Sequence, residues 1–147
     1  MADVEWGVRD KRGEWQPEAD AAEYLLDRFN RPRARIDLGR ELLGQASAAI
    51  DISDGLLADA GHIANASGVR LVIEPSLLPL SRALSSHRSR EQVMRWALAG
   101  GDDYELCFTL AEADPAPHGC TRIGQVEAGE GVDCGLAIDI PGGYQHF

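Results

Sequence analysis

The sequence predicts an α/β protein of the α+β type, in which a mixed β-sheet packs against helices. Apolar residues recur at helical spacing in several segments, and shorter segments between them are rich in β-branched and aromatic residues. These two patterns interleave without the strict alternation of a doubly wound sheet. With 147 residues, of which 44% are apolar, the chain has the size and composition of one globular domain.

The N-terminal part predicts a polar segment followed by a helix. Residues 1–16 are interpreted as a lead-in segment, so that the domain itself comprises residues 17–147. Pro17 suits the first position of a helix, and the residue before Pro32 is disfavoured in one, which sets the limits of this element. The apolar face of the helix consists of Ala22, Leu25, Leu26 and Phe29.

A second helix, a strand and a third helix are predicted next. Asp37 is expected to cap a short helix that runs through Leu43 and ends at Gly44. Residues 48–52 form a short apolar run typical of a buried strand, and the helix after it is expected to end at Gly68. The apolar stripe of that helix consists of Leu56, Leu57, Ala60, Ile63 and Ala64.

The second half of the chain predicts strands around one further helix. Ser89 and Gln92 have the spacing of a capping box, and the helix that they begin ends at Gly100 and Gly101. Its buried positions are expected to be Val93, Met94, Ala97 and Leu98. A helical turn is expected at residues 80–84, and strands are expected at residues 69–74, 104–110, 121–126 and 132–140.

The net charge of −10 excludes two classes of partner. Nucleic acids and anionic membrane surfaces are bound through basic patches, so neither is expected as a partner. An acidic chain can still bind ATP, because Mg²⁺ between carboxylates and a triphosphate turns repulsion into attraction. A nucleotide site in this chain is therefore expected to need Mg²⁺.

The cysteines and the lack of long apolar runs indicate a cellular compartment. Cys107, Cys120 and Cys134 are odd in number and contain no C-x-x-C pair, which is typical neither of a disulfide framework nor of a zinc site. No run approaches the ~20 apolar residues of a membrane span, and residues 1–12 lack the apolar centre of a signal peptide. We expect reduced thiols in a cytoplasmic protein.

Two carboxylates and a hydroxyl follow the strand predicted at residues 48–52. Asp51 and Asp54 lie three residues apart with Ser53 between them, on the turn that leads into the next helix. A helix N-terminus offers unpaired N–H groups to phosphate oxygens, and carboxylates are ligands that Mg²⁺ prefers. This turn is therefore a candidate site for a metal-nucleotide. The alternative is that Ser53 or Asp54 serves only as the N-cap of the helix.

Three ordered motifs resemble one protein family. The first is Asp-Ile-Ser-Asp-Gly-Leu at residues 51–56, followed by Asp59, Gly-His-Ile at residues 61–63 and Ala-Ser-Gly at residues 66–68. The second is Trp-Ala-Leu-Ala-Gly-Gly-Asp-Asp-Tyr-Glu-Leu at residues 96–106. The third is the terminal Gly-Tyr-Gln-His-Phe at residues 143–147. Together these motifs resemble the signature of the thiamine-monophosphate kinase family.

The resemblance implies the fold of this chain and the absence of a second domain. It implies the mixed α/β C-terminal domain that this family shares with aminoimidazole ribonucleotide synthetase and selenophosphate synthetase. Thiamine-monophosphate kinases also have an N-terminal domain with a Gly-Asp-Asp metal motif, further Mg²⁺ ligands and the main dimer interface, and we expect that domain to be absent from this chain. A homodimer is therefore implied for the full-length enzyme, and the chain alone is expected to be inactive.

The resemblance also implies a reaction and the residues that serve it. In the family, ATP donates its γ-phosphoryl directly to thiamine monophosphate and gives thiamine diphosphate, so no catalytic side chain is expected. Asp51 and Asp54 match metal ligands, and Ser53 matches an ATP contact. Asp102 and Tyr144 match substrate contacts, although the family commonly has Glu at the position of Asp102. A carboxylate and an aromatic face both suit the thiazolium cation of the substrate.

Two other functions are alternatives to this one. The first is another ATP-using enzyme of the same superfamily, such as aminoimidazole ribonucleotide synthetase. The second is a free-standing module that binds a metal-nucleotide or a thiamine phosphate without turning it over. For single residues, the alternatives are that Tyr144 covers apolar surface and that Asp102 finishes a turn after two glycines.

Overall fold

The computed structural model describes residues 8–9, 15–16, 26–27, 30–80 and 89–136. Residues 26, 27 and 30 are helical, and the rest of the helix predicted from Pro17 lies outside the described residues. The helices with complete bounds are α1 (Ile36–Glu41), α2 (Leu56–Ser67) and α3 (Arg90–Ala99), and a 3-10 turn covers Pro75–Leu77. The strands are β1 (Val8–Arg9), β2 (Trp15–Gln16), β3 (Ala48–Asp51), β4 (Arg70–Ile73), β5 (Leu106–Thr109), β6 (Gly124–Glu127) and β7 (Gly131–Asp133).

The described strands form three small sheets. β1 pairs with β2, and β3 pairs with β5, both in antiparallel orientation. β4 is the centre of a mixed sheet, with β6 antiparallel on one side and β7 parallel on the other. The predicted α+β class is confirmed, and the structure adds that the strands are divided over separate sheets instead of forming one.

α2 lies at the centre of the core. Its apolar residues recur on one face, which packs against β3, β4, β7 and α3. The helix ends at Gly68, whose φ of 63° lies in the left-handed region that glycine adopts without strain, as the sequence predicts. The buried cluster around α2 consists of Ile52, Leu56, Leu57, Ala60, Ile63, Ala64, Leu71, Ile73 and Leu98.

α3 begins as predicted from its capping residues. The Ser89 Oγ accepts a hydrogen bond of 3.3 Å from the backbone N–H of Gln92, which is the contact expected of an N-cap. Val93, Met94 and Leu98 are buried, and Ala97 is half-buried. No described helix has the length and apolar character needed to cross a membrane.

The short helix α1 differs from its prediction at both ends. It begins at Ile36 with Arg35 at the N-cap position, so the prediction that Asp37 caps it is wrong. Asp37 lies in the first turn, where its negative charge suits the positive end of the helix dipole. The helix ends at Glu41, three residues before the expected Gly44.

The strands of the second half are shorter than predicted. β5 begins at Leu106 and not at residue 104, because the backbone of Tyr104 has a φ of 53° and cannot be extended. β7 ends at Asp133, and Gly135 has a φ of 63°, so the strand predicted to residue 140 stops early. Residues 137–147 and most of the turn predicted at residues 80–84 lie outside the described residues.

A glycine inside α2 gives a test of this helix. An added Cβ at Gly61 would meet no heavy atom within 4 Å. Glycine in a helix interior is less favourable than alanine by about 0.5–1 kcal/mol, so we expect Gly61→Ala to stabilise the chain by about that amount. The melting temperature should rise by about 1–4 °C in a thermal unfolding experiment. A lower melting temperature would show that this side of α2 is packed against other residues.

Candidate functional site

Two loops meet where β3 ends and β5 begins. The register of this pair sets Asp51, the last residue of β3, opposite Leu106, the first residue of β5. We call residues 51–55 the acidic loop and residues 100–105 the glycine loop. Both belong to the motifs recognised in the sequence, and the strand pairing brings them side by side.

Three backbone hydrogen bonds join the two loops. The N–H of Asp102 donates to the Ser53 carbonyl oxygen at 2.9 Å, and the N–H of Tyr104 donates to the Ile52 carbonyl oxygen at 2.9 Å. In the opposite direction, the N–H of Ile52 donates to the Glu105 carbonyl oxygen at 2.8 Å. These N–H and carbonyl groups of one loop therefore have their hydrogen-bond partners in the other, and each loop supports the conformation of the other.

Close backbone approaches around the acidic loop require glycine at two positions. A Cβ at Gly101 would lie 2.4 Å from the Ser53 carbonyl oxygen, which is a backbone clash. Gly55 has a φ of 114°, and a Cβ there would lie 3.0 Å from the Ala99 carbonyl oxygen. Gly101 thus permits the contact between the two loops, and Gly55 permits the approach of the acidic loop to the end of α3.

The buried carboxylate of Asp59 binds the backbone of the acidic loop. It lies in the first turn of α2 and is only 2% exposed. Its Oδ2 accepts hydrogen bonds from the backbone N–H groups of Ser53, Asp54 and Gly55 at 2.9, 3.0 and 3.2 Å. A single carboxylate oxygen therefore fixes three successive residues of the loop, with the strength of charge-assisted hydrogen bonds.

The structure of the acidic loop rules out the N-cap alternative and corrects the role expected for the N–H groups of the loop. The N-cap of α2 is Gly55, with no side-chain capping bond, so the interpretation of Ser53 or Asp54 as the cap is wrong. The loop N–H groups that we expected to receive phosphate are bonded to Asp59 instead. The loop consequently presents its side chains, and not these three N–H groups, to a ligand.

Asp59 belongs to the first motif, but the motif alone indicates no role for it. The signal that could have found it is its position, because an acidic residue on the apolar stripe of α2 needs a partner for its charge.

The predicted metal ligands and the predicted ATP contact differ in exposure. Asp51 is exposed, while Ser53 and Asp54 are half-buried. One ligand atom each from Asp54, Asp59 and His62 lies within 4.8 Å of the others. The carboxylate oxygens of this set fit Mg²⁺, whereas the imidazole nitrogen is a ligand more typical of transition metals.

The glycine loop contains two residues in a rare backbone conformation. Asp102 and Tyr104 have φ values of 62° and 53°. Such conformations cost about 1–3 kcal/mol each and persist only where the surroundings enforce them. Here the hydrogen bonds to the acidic loop provide that constraint.

The side chains of these two residues are bonded to each other. The Tyr104 hydroxyl donates to Asp102 Oδ1 at 3.2 Å. This hydrogen bond, the negative charge of Asp102 and, to a smaller extent, that of Asp51 raise the pKa of the Tyr104 phenol above its usual value. The hydroxyl therefore stays protonated, and a donor, at neutral pH. Asp102, predicted to contact substrate, is exposed and bonded to Tyr104, while Tyr144 lies outside the described residues.

Comparison with known proteins identifies the family. No protein-family model matches the chain. A thiamine-monophosphate kinase from Salmonella typhimurium is 42% identical over 142 residues, which cover 86% of this chain and 43% of the relative. One from Escherichia coli K12 is 53% identical over 95 residues, or 65% of this chain and 29% of the relative. The chain belongs to the thiamine-monophosphate kinase family.

The solved structures agree with this assignment. A structure described as AaThiL complexed with AMPPCP and TMP has a TM-score of 0.80 and 37% identity. The match covers 100% of this chain and 48% of that chain. The chain thus spans less than half the length of these thiamine-monophosphate kinases, and it resembles their C-terminal domain.

The glycine loop of this family member is also tied to α1. Arg35, the N-cap residue of α1, donates from Nε to Glu105 Oε2 at 2.7 Å and forms a second bond to the other carboxylate oxygen. Two parallel bonds fix a carboxylate in both position and orientation. Glu105, to which the sequence assigned no contact, therefore anchors the end of the glycine loop.

A groove of about 560 Å³ lies elsewhere, between β5 and the β4 and β6 strands. Its lining is more apolar than polar, and none of the described residues assigned to metal, nucleotide or substrate lines it. The candidate site of this thiamine-monophosphate kinase chain is therefore the acidic surface formed by the two loops, and not this groove.

Proposed function

We propose that this chain supplies the C-terminal half of the site of a thiamine-monophosphate kinase. In the proposed reaction, a phosphate oxygen of thiamine monophosphate attacks the γ-phosphorus of ATP, and ADP leaves as thiamine diphosphate forms. The observation that carries the proposal is the hydrogen-bonded contact between the acidic loop and the glycine loop, since it joins the first two family motifs in one site. The AaThiL structure complexed with AMPPCP and TMP supports both ligands.

On the nucleotide side, the chain's role is to hold phosphates in place. We assign Asp51 and Asp54 to Mg²⁺ and Ser53 to ATP; when bound, Mg²⁺ would neutralise charge on the phosphate oxygens. Asp54 fits because it lies on a loop that Asp59 fixes, with ligand atoms of Asp59 and His62 within 4.8 Å, and Asp51 fits because it is exposed at the start of the same loop. Direct phosphoryl transfer depends on such positioning and needs no nucleophilic side chain.

On the substrate side, the glycine loop carries negative charge. Asp102 is assigned to the thiazolium cation, which a carboxylate attracts, and Tyr144 is assigned to its ring face. Both assignments are part of the proposal. So are a homodimer of the full-length enzyme, its cytoplasmic location and the absence of nucleic-acid and membrane partners.

Two alternative functions are compared with this proposal. Another ATP-using enzyme of the superfamily would use the same acidic loop with a different phosphate acceptor. A binding module without turnover is favoured for the isolated chain, because this chain spans only 43% of the Salmonella typhimurium relative. We therefore propose that the isolated chain is inactive and that the remainder of the enzyme completes the site.

The test compares the chain alone with an exchange protein, in which this chain replaces its matching region in the Salmonella typhimurium relative. Formation of thiamine diphosphate from ATP and thiamine monophosphate is measured for both. We expect activity from the exchange protein and none from the chain alone. A folded exchange protein without activity contradicts the proposed function, and activity with the chain alone contradicts the proposed half-site.

The metal assignment predicts a loss of nucleotide affinity. Asp54→Asn in the exchange protein keeps the size of the side chain and removes its charge. Losing one ligand charge should weaken binding of the ATP analogue AMPPCP with Mg²⁺ by about tenfold or more, equivalent to about 1.4 kcal/mol. Isothermal titration calorimetry measures this, with Asp37→Asn as the control because Asp37 is fully exposed in α1. Unchanged affinity in Asp54→Asn would remove Asp54 from the metal site.

A further inference from the structure

We propose that Tyr104 is a positioning residue for the substrate, because its hydroxyl fixes the Asp102 carboxylate that faces the ligand. This inference rests on the proposed function, in which Asp102 interacts with the thiazolium cation. It adds Tyr104, which belongs to the second motif, to Asp102, the residue of that motif already assigned to the substrate.

The backbone holds Tyr104 where its sequence pattern would not place it. An aromatic residue before Leu106 fits a continuation of β5, yet Tyr104 has a φ of 53°. A positive φ is unusual for a bulky residue, and strained residues of this kind concentrate at functional sites. The N–H of Tyr104 is bonded to the Ile52 carbonyl oxygen at 2.9 Å, so the acidic loop itself maintains the strained conformation.

The Tyr104 hydroxyl binds Asp102 Oδ1, so Asp102 Oδ2 is available to a ligand. Asp102 Oδ1 accepts the bond from Tyr104, and no hydrogen bond or ion pair within residues 30–80 and 89–136 reaches Asp102 Oδ2. A carboxylate on an exposed loop otherwise samples several rotamers, and binding must then order it. With one oxygen held, the other is available to a cation without that loss of freedom.

The ring of Tyr104 is not part of the hydrophobic core. It is 37% exposed, and it is absent from both buried clusters of the described residues. Its position beside Asp51 and Asp102 therefore has no packing explanation. An aromatic ring next to carboxylates is an environment that attracts a cationic ring, which matches the thiazolium of the proposed substrate.

The experiment uses Tyr104→Phe in the exchange protein, which removes the hydroxyl and keeps the ring. We expect the KM for thiamine monophosphate to rise about tenfold, the size of a hydrogen bond to a charged group, while kcat and the KM for ATP change less than about twofold. Ser47→Ala is the matched control, because it removes another exposed hydroxyl, bonded to Thr109 Oγ1 at 2.8 Å, at the far end of β3. Equal KM values for thiamine monophosphate in Tyr104→Phe and wild type overturn the inference, as does an equal rise of both KM values.

A second measurement separates this inference from the proposed function. If the wild-type exchange protein forms no thiamine diphosphate, the proposed function fails, and calorimetric binding of thiamine monophosphate decides the role of Tyr104. An equal Kd for wild type and Tyr104→Phe then overturns the inference, while a weaker Kd in the variant supports it. In this chain alone, Asp102→Asn should bring the pKa of the Tyr104 phenol down toward its usual value, which NMR of the ring carbons follows. An unchanged phenol pKa would show that the bond to Asp102 does not form.

Discussion

Replacing Asp59 by Asn is expected to lower the melting temperature of this chain by about 6–12 °C. The substitution leaves the three N–H groups of Ser53, Asp54 and Gly55 facing a neutral amide in place of a carboxylate oxygen. The amide can also turn its own N–H donors toward them. Weakening bonds to a buried charged acceptor costs about 3 kcal/mol in total, which for a chain of this length corresponds to the stated shift.

The measurement is thermal unfolding followed by circular dichroism. Asp37→Asn is the control, since it makes the same chemical change at a fully exposed carboxylate and should shift the melting temperature by less than about 2 °C. Asp54→Asn gives a second comparison, because it should lower nucleotide affinity while leaving stability nearly unchanged. If Asp59→Asn melts like wild type, Asp59 is not the acceptor that orders the acidic loop.

Gly101→Ala is expected to destabilise the chain by about 3 kcal/mol and to separate the two loops. The new Cβ would lie 2.4 Å from the Ser53 carbonyl oxygen, and backbone on both sides leaves no flexible side chain to move aside. The bond from the N–H of Asp102 to that same oxygen should break as the glycine loop shifts. The melting temperature should then fall by about 6–12 °C.

Amide hydrogen exchange tests the second part of this prediction. The N–H groups of Asp102 and Tyr104 should lose protection in Gly101→Ala, while the strands β4 and β6 keep theirs. Gly61→Ala is the matched control, because the same methyl group is added where no atom lies within 4 Å, and its effect on stability should have the opposite sign. Retained protection at Asp102 would show that the two loops move together without separating.

Local patterns in the sequence predicted the helices of the core correctly. The apolar spacing of α2 and its end at Gly68 depend on neighbours within one or two turns, as does the capping of α3 by Ser89. The structure differs from these local patterns where a local signal competes with a distant contact. Tyr104 has a high strand propensity, but the hydrogen bond to Ile52 determines its backbone conformation.

The candidate site was predictable as two motifs but not as one surface. Periodicity indicates that residues 48–52 form a strand, yet it does not identify β5 as the partner or set Asp51 opposite Leu106. The role of Asp59 was missed for a related reason. A carboxylate in the first turn of a helix is also favoured by the dipole alone, so its three bonds to the acidic loop are visible only in three dimensions.

The hydrogen bonds accepted by Asp59 also determine when the acidic loop can become ordered during folding. All groups in this network lie within residues 51–59, so the loop closes over a very short stretch of chain, and closing short loops is fast. The acidic loop can thus acquire its shape as soon as the first turn of α2 forms, before distant parts of the enzyme assemble. If the chain binds ATP as proposed, the nucleotide meets a preorganised loop, and its binding free energy does not have to offset the entropy of ordering one.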